Sequence, residues 1–306
     1  MFDIKRKVIQ IANSTQLVSL PRKWALRNSV RKGDEIDVKE DGNKIIISTE
    51  AQEDNEKTTL NLTTAEKFLR RSLDVLYRYG YDEVEVKYDD PAIVELLQNA
   101  TNELLGFEIV SQGTSSCVIK NIASGAEADF SNVLRRLFIM IESMLKDCYN
   151  YIESKDYDSL KKIKHFDSVV NKFTNFSERI LNKKGYKEFK KTSFMYFIVC
   201  SLEQISDELR EMSDYLHEAS IKNKSKIVVS KEVLDIYKLV QEHFGLFYKM
   251  FYNGNKELLY EKKQKRLEIH RRINQIMESK KGVDNIIAKH IHCIVNNVQH
   301  MSIMVV

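Results

Sequence analysis

Glu203, Asp207 and Glu211 recur at four-residue intervals in "CSLEQISDELREMSDYL", with Asp214 close behind. On a helix that spacing puts three carboxylates on one face. Like charges in a stripe disfavour an isolated helix. A bound cation, basic residues on a neighbouring helix or simple exposure to water could each offset them. "HFDSVVNKF" places Asp167 four residues before Asn171. A single carboxylate stripe is more often a solvated face, but four-residue carboxylate spacing on two helices of one bundle is also how bundle metal sites are built. The candidate metal set is Asp167, Glu203, Asp207 and Glu211. Oxygen ligands of this kind suit calcium or magnesium, whereas iron or zinc would need more nitrogen or sulfur, or bridging carboxylates. Near the end of the chain, "HCIVNNVQHMS" spaces His292, Asn296 and His300 by fours. Those histidines have ligand spacing, although such residues are more often structural. His290 and His292, two apart, cannot face one site on a helix.

A second set of residues has the chemistry of a polyanion binder. Between Ile4 and Gly33 there are eight Lys/Arg (Lys5, Arg6, Lys7, Arg22, Lys23, Arg27, Arg31 and Lys32) and no acid. Asp34, Glu35, Asp37, Glu40 and Asp41 then arrive together. A patch of this kind on a small β-rich unit is the footprint of a phosphate-backbone binder. The competing reading is a solvated basic surface; the grouping of the charges at two separated places argues against it.

Catalysis finds little support. The chain has no GxSxG, P-loop, GxGxxG or HExxH pattern and no readable Cys–His nucleophile pair, so an enzyme is not expected. The four cysteines (Cys117, Cys148, Cys200 and Cys293) are scattered, which fits a reducing, cytoplasmic setting. No apolar run approaches the roughly 18 residues of a membrane span, and the N-terminus lacks a signal-peptide run, so no membrane insertion is expected. The net charge of +4 is mild and decides nothing; its distribution is the informative part.

These residues need elements to hold them. Two prolines and ten glycines in 306 residues favour long uninterrupted helices. Residues 1–50 are the exception and read as β-β-α-β-β. "IKRKVIQIA" alternates as a strand and "QLVSL" is a second strand. Pro21 starts a short helix with Ser19 as a cap, and Asp41-Gly42 turns a hairpin. "TEAQEDNEKTTLN" reads as a polar linker, 51–61. Residues 62–124 read as α-β-α-β-β, a small α/β unit, with a first helix capped by Thr63 or Thr64 and a second started by Asp90 and Pro91. From Gly125 onward, apolar residues recur at three and four. Six helices are expected at about 128–153, 157–183, 189–220, 228–253, 256–280 and 283–304, forming two antiparallel three-helix units, 125–222 and 223–306.

Two resemblances overlay this reading. "KRKVIQIANSTQLVSLPRKWALRNSVRKGDEIDVKEDGNKIIIS" resembles the AbrB/MazE/SpoVT swapped-hairpin DNA-binding domain. The carriers are "RKV", "LVSLPRKW", "VRKGDEIDV" and the closing "IIIS", with "NST" where the family often has Gly-x-Ser. The resemblance implies that two chains interlock into one barrel, hence a homodimer through residues 1–50. It also implies that basic residues of the first strand and of the Leu-Pro turn face DNA. By position those are Arg6, Lys7, Arg22 and Lys23, and their neighbours Lys5 and Arg27 complete the candidate set. Trp24 is expected as a core or interface anchor.

The helical half resembles PhoU, the phosphate-uptake regulator, which has two three-helix repeats. "LEQISDELREMSD" is similar to its third-helix signature, and Glu203 and Asp207 carry over directly. Asp167 carries over as well, but Asn171 stands where a second carboxylate is usual, and Lys265 follows Glu261 where another is wanted. The motif is therefore degraded, and a divalent, iron or zinc ion is expected, if anywhere, at the first repeat. The 62–124 unit looks like the connector of archaeal-type chains that join these two modules. The fold expected is thus multidomain α+β: an N-terminal swapped-hairpin β-barrel, an α/β connector and an all-α bundle. The function these resemblances imply is a DNA-binding transcriptional regulator of phosphate uptake and homeostasis. The alternative is an adaptor acting by protein contacts on a phosphate transporter ATPase or sensor kinase.

Overall fold

A computed structural model describes residues 5–11, 15–41, 44–49, 56–62, 68–122, 130–222, 227–255, 257–279 and 282–303. The chain divides into two compact units, Met1–Asn55 and Glu56–Val306.

In the first unit, β1 (Ile9–Ile11) pairs antiparallel with β2 (Thr15–Leu17), α1 (Arg22–Arg27) follows, and β3 (Asp37–Asp41) pairs antiparallel with β4 (Lys44–Ser48). These are two separate two-stranded ribbons within one chain. The residues joining the strands within each ribbon, 12–14 and 42–43, lie outside the described residues, so the expected Asp41-Gly42 turn falls partly there. The unit builds no interior of its own: none of its described residues is buried.

The second unit opens with a four-stranded sheet, order β5-β6-β8-β7, made of β5 (Lys57–Asn61), β6 (Glu83–Lys87), β7 (Phe107–Gln112) and β8 (Ser116–Asn121). Helices α2 (Leu69–Tyr79) and α3 (Ile93–Thr101) complete it. β5 corrects the expected linker over 51–61. Thr58 and Leu60 alternate with exposed Lys57 and Thr59, so the segment has strand period, and it pairs in parallel with β6. The acids of "TEAQEDNE" lie upstream of it and disguised it. α2 is the crossover between the parallel strands, ending at Gly80 with φ of +99°, a backbone setting that suits glycine. Val84, Val86, Cys117, Ile119 and Phe107 form the buried sheet face under Leu73, Tyr77 and Leu97. Asp90 accepts the Ala92 N–H and so starts the turn into α3, while Thr63 and Thr64 lie outside the described residues.

Six long helices follow: α4 (Phe130–Glu153), α5 (Ile163–Lys184), α6 (Thr192–Lys222), α7 (Lys231–Asn253), α8 (Leu258–Ser279) and α9 (Val283–Ile303). Five lie within three residues of their expected places; α5 begins six residues after the expected 157, behind a 3-10 turn at Ser159–Lys162. α4, α5 and α6 pack mutually, as do α7, α8 and α9; α4–α7 and α6–α9 contacts join the triplets. The buried core runs continuously from the sheet into the helices. Phe138 of α4 is fully buried in it, ringed by Phe244, Phe247, Tyr248, Phe251 and Tyr252 of α7 at centroid distances of 5.2–6.1 Å. Among the described residues no helix is long and apolar enough to cross a membrane.

Candidate nucleic-acid interface and the carboxylate cluster

The basic residues of the first unit sit where the local chain presents them. Lys5, Arg6 and Lys7 lead into β1 and are exposed. Pro21, with φ of −61°, sets the entry to α1; its carbonyl accepts the Ala25 N–H at 3.0 Å. Ser19 does not cap: no side chain bonds to that helix start. One turn and a half of helix then places Arg22, Lys23 and Arg27 in solvent and leaves Trp24 half-buried. The helix closes through Asn28, whose side-chain amide donates to the Trp24 carbonyl at 2.9 Å, and Ser29, with φ of +54°. Asp34, the first acid after the basic run, accepts the Arg31 N–H at 2.7 Å, so it is spent on the turn rather than on a cation. Among the described residues no carboxylate pairs with Lys5, Arg6, Lys7, Arg22, Lys23 or Arg27.

Apolar side chains are as exposed as the basic ones. Leu26 is 69% exposed, Ile45 67%, Val38 61% and Val8 59%. So many exposed aliphatic residues on about 40 residues of chain leave a large area for a partner surface to cover.

The carboxylate stripe on α6 takes a different form from the expected metal site. Arg210, on the same helix, sits at its centre. Its Nε lies 3.2 Å from Asp167 Oδ2; its Nη atoms lie 2.9 Å from Asp207, 3.5 Å from Glu211 and 3.7 Å from Asp214. One guanidinium thus supplies the offsetting charge that the stripe demands. Asp167 is buried and accepts a hydrogen bond from Ser206 at 2.7 Å. Glu211 and Asp207 remain well exposed. Among the described residues no group of three or more His, Cys, Asp and Glu is arranged to hold a metal ion. Arg210 lies three residues after Asp207 and one before Glu211, so it reaches both.

The stripe also extends inward to residues that carboxylate spacing alone did not reveal. Asp167, Asn171, Thr174 and Glu178 follow one face of α5. Glu178 is buried, accepts from the Cys200 thiol at 3.1 Å and pairs with Arg78 of α2 at 3.3 Å. Burial first, and then the neighbouring Asp207, Glu178 and Asp167 charges, push Glu203 up to about 7. Burial likewise raises Asp167.

The Glu203 shift has a signed consequence. Its folded-state pKa lies above the ordinary value of 4.5, so the folded chain holds a proton that the unfolded chain releases. Stability therefore falls as pH rises from about 4.5 to about 7. Glu203→Gln, which keeps the shape and removes the charge, is expected to gain about 2 kcal/mol at pH 8 and little at pH 5. Denaturant midpoints at the two pH values check this. Equal gains at both would mean that the carboxylate ionises normally.

In the second helical triplet the four-spaced histidines and His290 take separate surroundings. His290 reaches across to Glu208 of α6 at 2.7 Å. His292 lies edge-on to His270 of α8 at 5.0 Å, and His300 is exposed. Lys265 pairs with Glu242 of α7.

Compared with known proteins, residues 9–55 match the family described as "Antidote-toxin recognition MazE, bacterial antitoxin". The first unit is therefore similar to MazE/AbrB-type domains, a class that points in general terms to DNA-binding regulators. No curated protein and no solved structure matches the chain.

Proposed function

We propose that the chain is a DNA-binding transcriptional regulator acting as a homodimer. In this reading two copies of the first unit interlock into one barrel that grips the phosphate backbone. The observation that carries it is the coincidence, within the MazE-like segment, of unpaired exposed cations with an uncovered apolar surface. The cations suit a polyanion, and the apolar residues suit a second chain. Lys5, Arg6 and Lys7 on the approach to β1, with Arg22, Lys23 and Arg27 on α1, would contact phosphates. The setting we propose is cytoplasmic, in keeping with cysteines that are all free.

The helical half is, in the same reading, the receiver of a signal. Its link to phosphate homeostasis rests on the similarity of "LEQISDELREMSD" to PhoU and is supported by the two helix triplets, each packed on itself and on the other. The body would register phosphate status, either directly or through a transporter ATPase or sensor kinase.

Sedimentation of the full chain, alone and with duplex DNA, tests the proposal. A dimer that takes up one duplex is expected. Ile45→Lys should weaken dimerisation roughly tenfold or more, because a charge replaces a side chain that the second copy covers. Its far-ultraviolet dichroism should stay unchanged, since the second unit supplies nearly all the helix. A monomer without affinity for DNA would refute the proposal.

A further inference from the structure

A cavity of about 520 Å³ lies between the start of α8 and the end of α9. Lys262, Lys263 and Arg266 of α8 line it, with Gln299 of α9, and among the described residues no acidic side chain does. Lys262 is only 2% exposed. Among the described residues neither Lys262 nor Arg266 has an ion-pair partner, and Arg266 Nε is buried without a hydrogen bond. Burial and the adjacent Arg266 charge push Lys262 down to about 8, and no acid offsets them. Behind them His243 of α7 is fully buried; desolvation and the Lys262 and Arg266 charges push it down to about 3. It is therefore neutral and contributes no countercharge.

A buried ammonium beside a guanidinium is costly without a counterion, and arginine cannot shed its proton. Elsewhere in this unit the chain meets that cost: Arg179 has Asp82, and Arg210 has Asp167. Here, among the described residues, it supplies none. The first turns of α8 add the positive end of a helix dipole. The end of α9 opposes an anion, and Ser302 spends its proton on the Val298 carbonyl at 2.6 Å, so the three cations and the Gln299 amide must carry the binding. Leu259 and Ile303 give the cavity an apolar wall, and its volume is of ligand-site size.

We propose that this cavity binds the phosphate group of a small molecule, inorganic phosphate or a phosphorylated metabolite, with Lys262 and Arg266 as the main contacts. The proposal deepens the sensing half of the function proposed above. The DNA affinity of the same preparations is measured separately, so the two can fail independently.

The test is calorimetric titration and thermal unfolding of the full chain with inorganic phosphate and, separately, glycerol phosphate, each against sodium chloride of equal ionic strength. At least one phosphate compound is expected to bind and to raise the unfolding midpoint beyond the chloride control. A response to glycerol phosphate alone assigns the organic source; a response to both assigns the phosphate group itself. Lys262→Met and Arg266→Gln should each weaken binding on the order of tenfold or more. Lys265→Gln, outside the cavity, should not. No response beyond chloride, or a response retained in both cavity variants, overturns the proposal.

Discussion

Arg179→Ala is expected to destabilise the second unit by about 3–5 kcal/mol, the cost of stripping a partner from a buried charge. Arg179, on α5, is 1% exposed. Its Nη1 donates to the carbonyls of Tyr77 at 3.0 Å and Tyr81 at 2.7 Å, and its Nη2 to Asp82 at 2.6 Å. The guanidinium also lies over the rings of Tyr77 and Phe107, 5.1 and 5.5 Å from their centroids. One side chain thus satisfies the end of α2, the start of β6 and the edge of the sheet core. Removing it leaves Asp82 buried, with Lys183 at 2.6 Å as the remaining cation, and takes from the Tyr81 carbonyl its donor and from the Tyr77 carbonyl one of two, the Gly80 N–H at 3.0 Å staying in place. Lysine cannot replace it, since a single ammonium cannot meet carbonyls and carboxylate in one plane. Arg179→Lys should therefore recover less than half of the loss. Thermal unfolding by circular dichroism checks both, with a drop of roughly 10 °C expected for alanine. A drop of only one or two degrees would mean that apolar packing and the remaining pairs, Lys183–Asp82 and Arg78–Glu178, hold α5 to the α/β part without Arg179.

Arg22→Ala/Lys23→Ala is expected to weaken DNA binding by two to three orders of magnitude near physiological salt. In a dimer the double substitution removes four cations. If each meets a phosphate, the dependence of log affinity on log salt should flatten by about 3 to 4. Fold and dimerisation should be untouched, because both side chains are exposed and neither pairs with a described acid. The loss should be similar for specific and scrambled duplexes, as phosphate contacts carry no sequence information. A loss confined to one sequence would move Arg22 or Lys23 from the backbone to a base edge.

Much of this architecture is legible before any coordinates, and what is not has definite physical causes. The six long helices show because apolar residues recur at three and four and glycines punctuate the joints. Thus 228–253 becomes Lys231–Asn253 and 283–304 becomes Val283–Ile303. β5 is hidden because its parallel partner lies beyond a whole helix, and period two over five residues is a weak signal beside an acidic run. The basic set can be read directly, since neither neighbours nor burial alter it. For the carboxylate cluster, spacing says which side chains share a face, not which neighbour reaches them; Arg210 among them is visible only in the structure. The Arg179–Asp82 pair spans 97 residues, and no local pattern announces it. The Lys262 cavity is equally silent in sequence, where Lys262 is one cation among many on a basic helix.

The most direct test of the central claim is a fluorescence-anisotropy titration of the full chain across a salt series. The duplexes are fragments upstream of the organism's own phosphate-transport genes, with a scrambled control. The account predicts tight binding that prefers one duplex and falls steeply as salt rises from about 50 to 200 mM. A chain that sediments as a dimer yet binds no DNA at about 50 mM salt would contradict it, and would leave a protein-contact adaptor in its place.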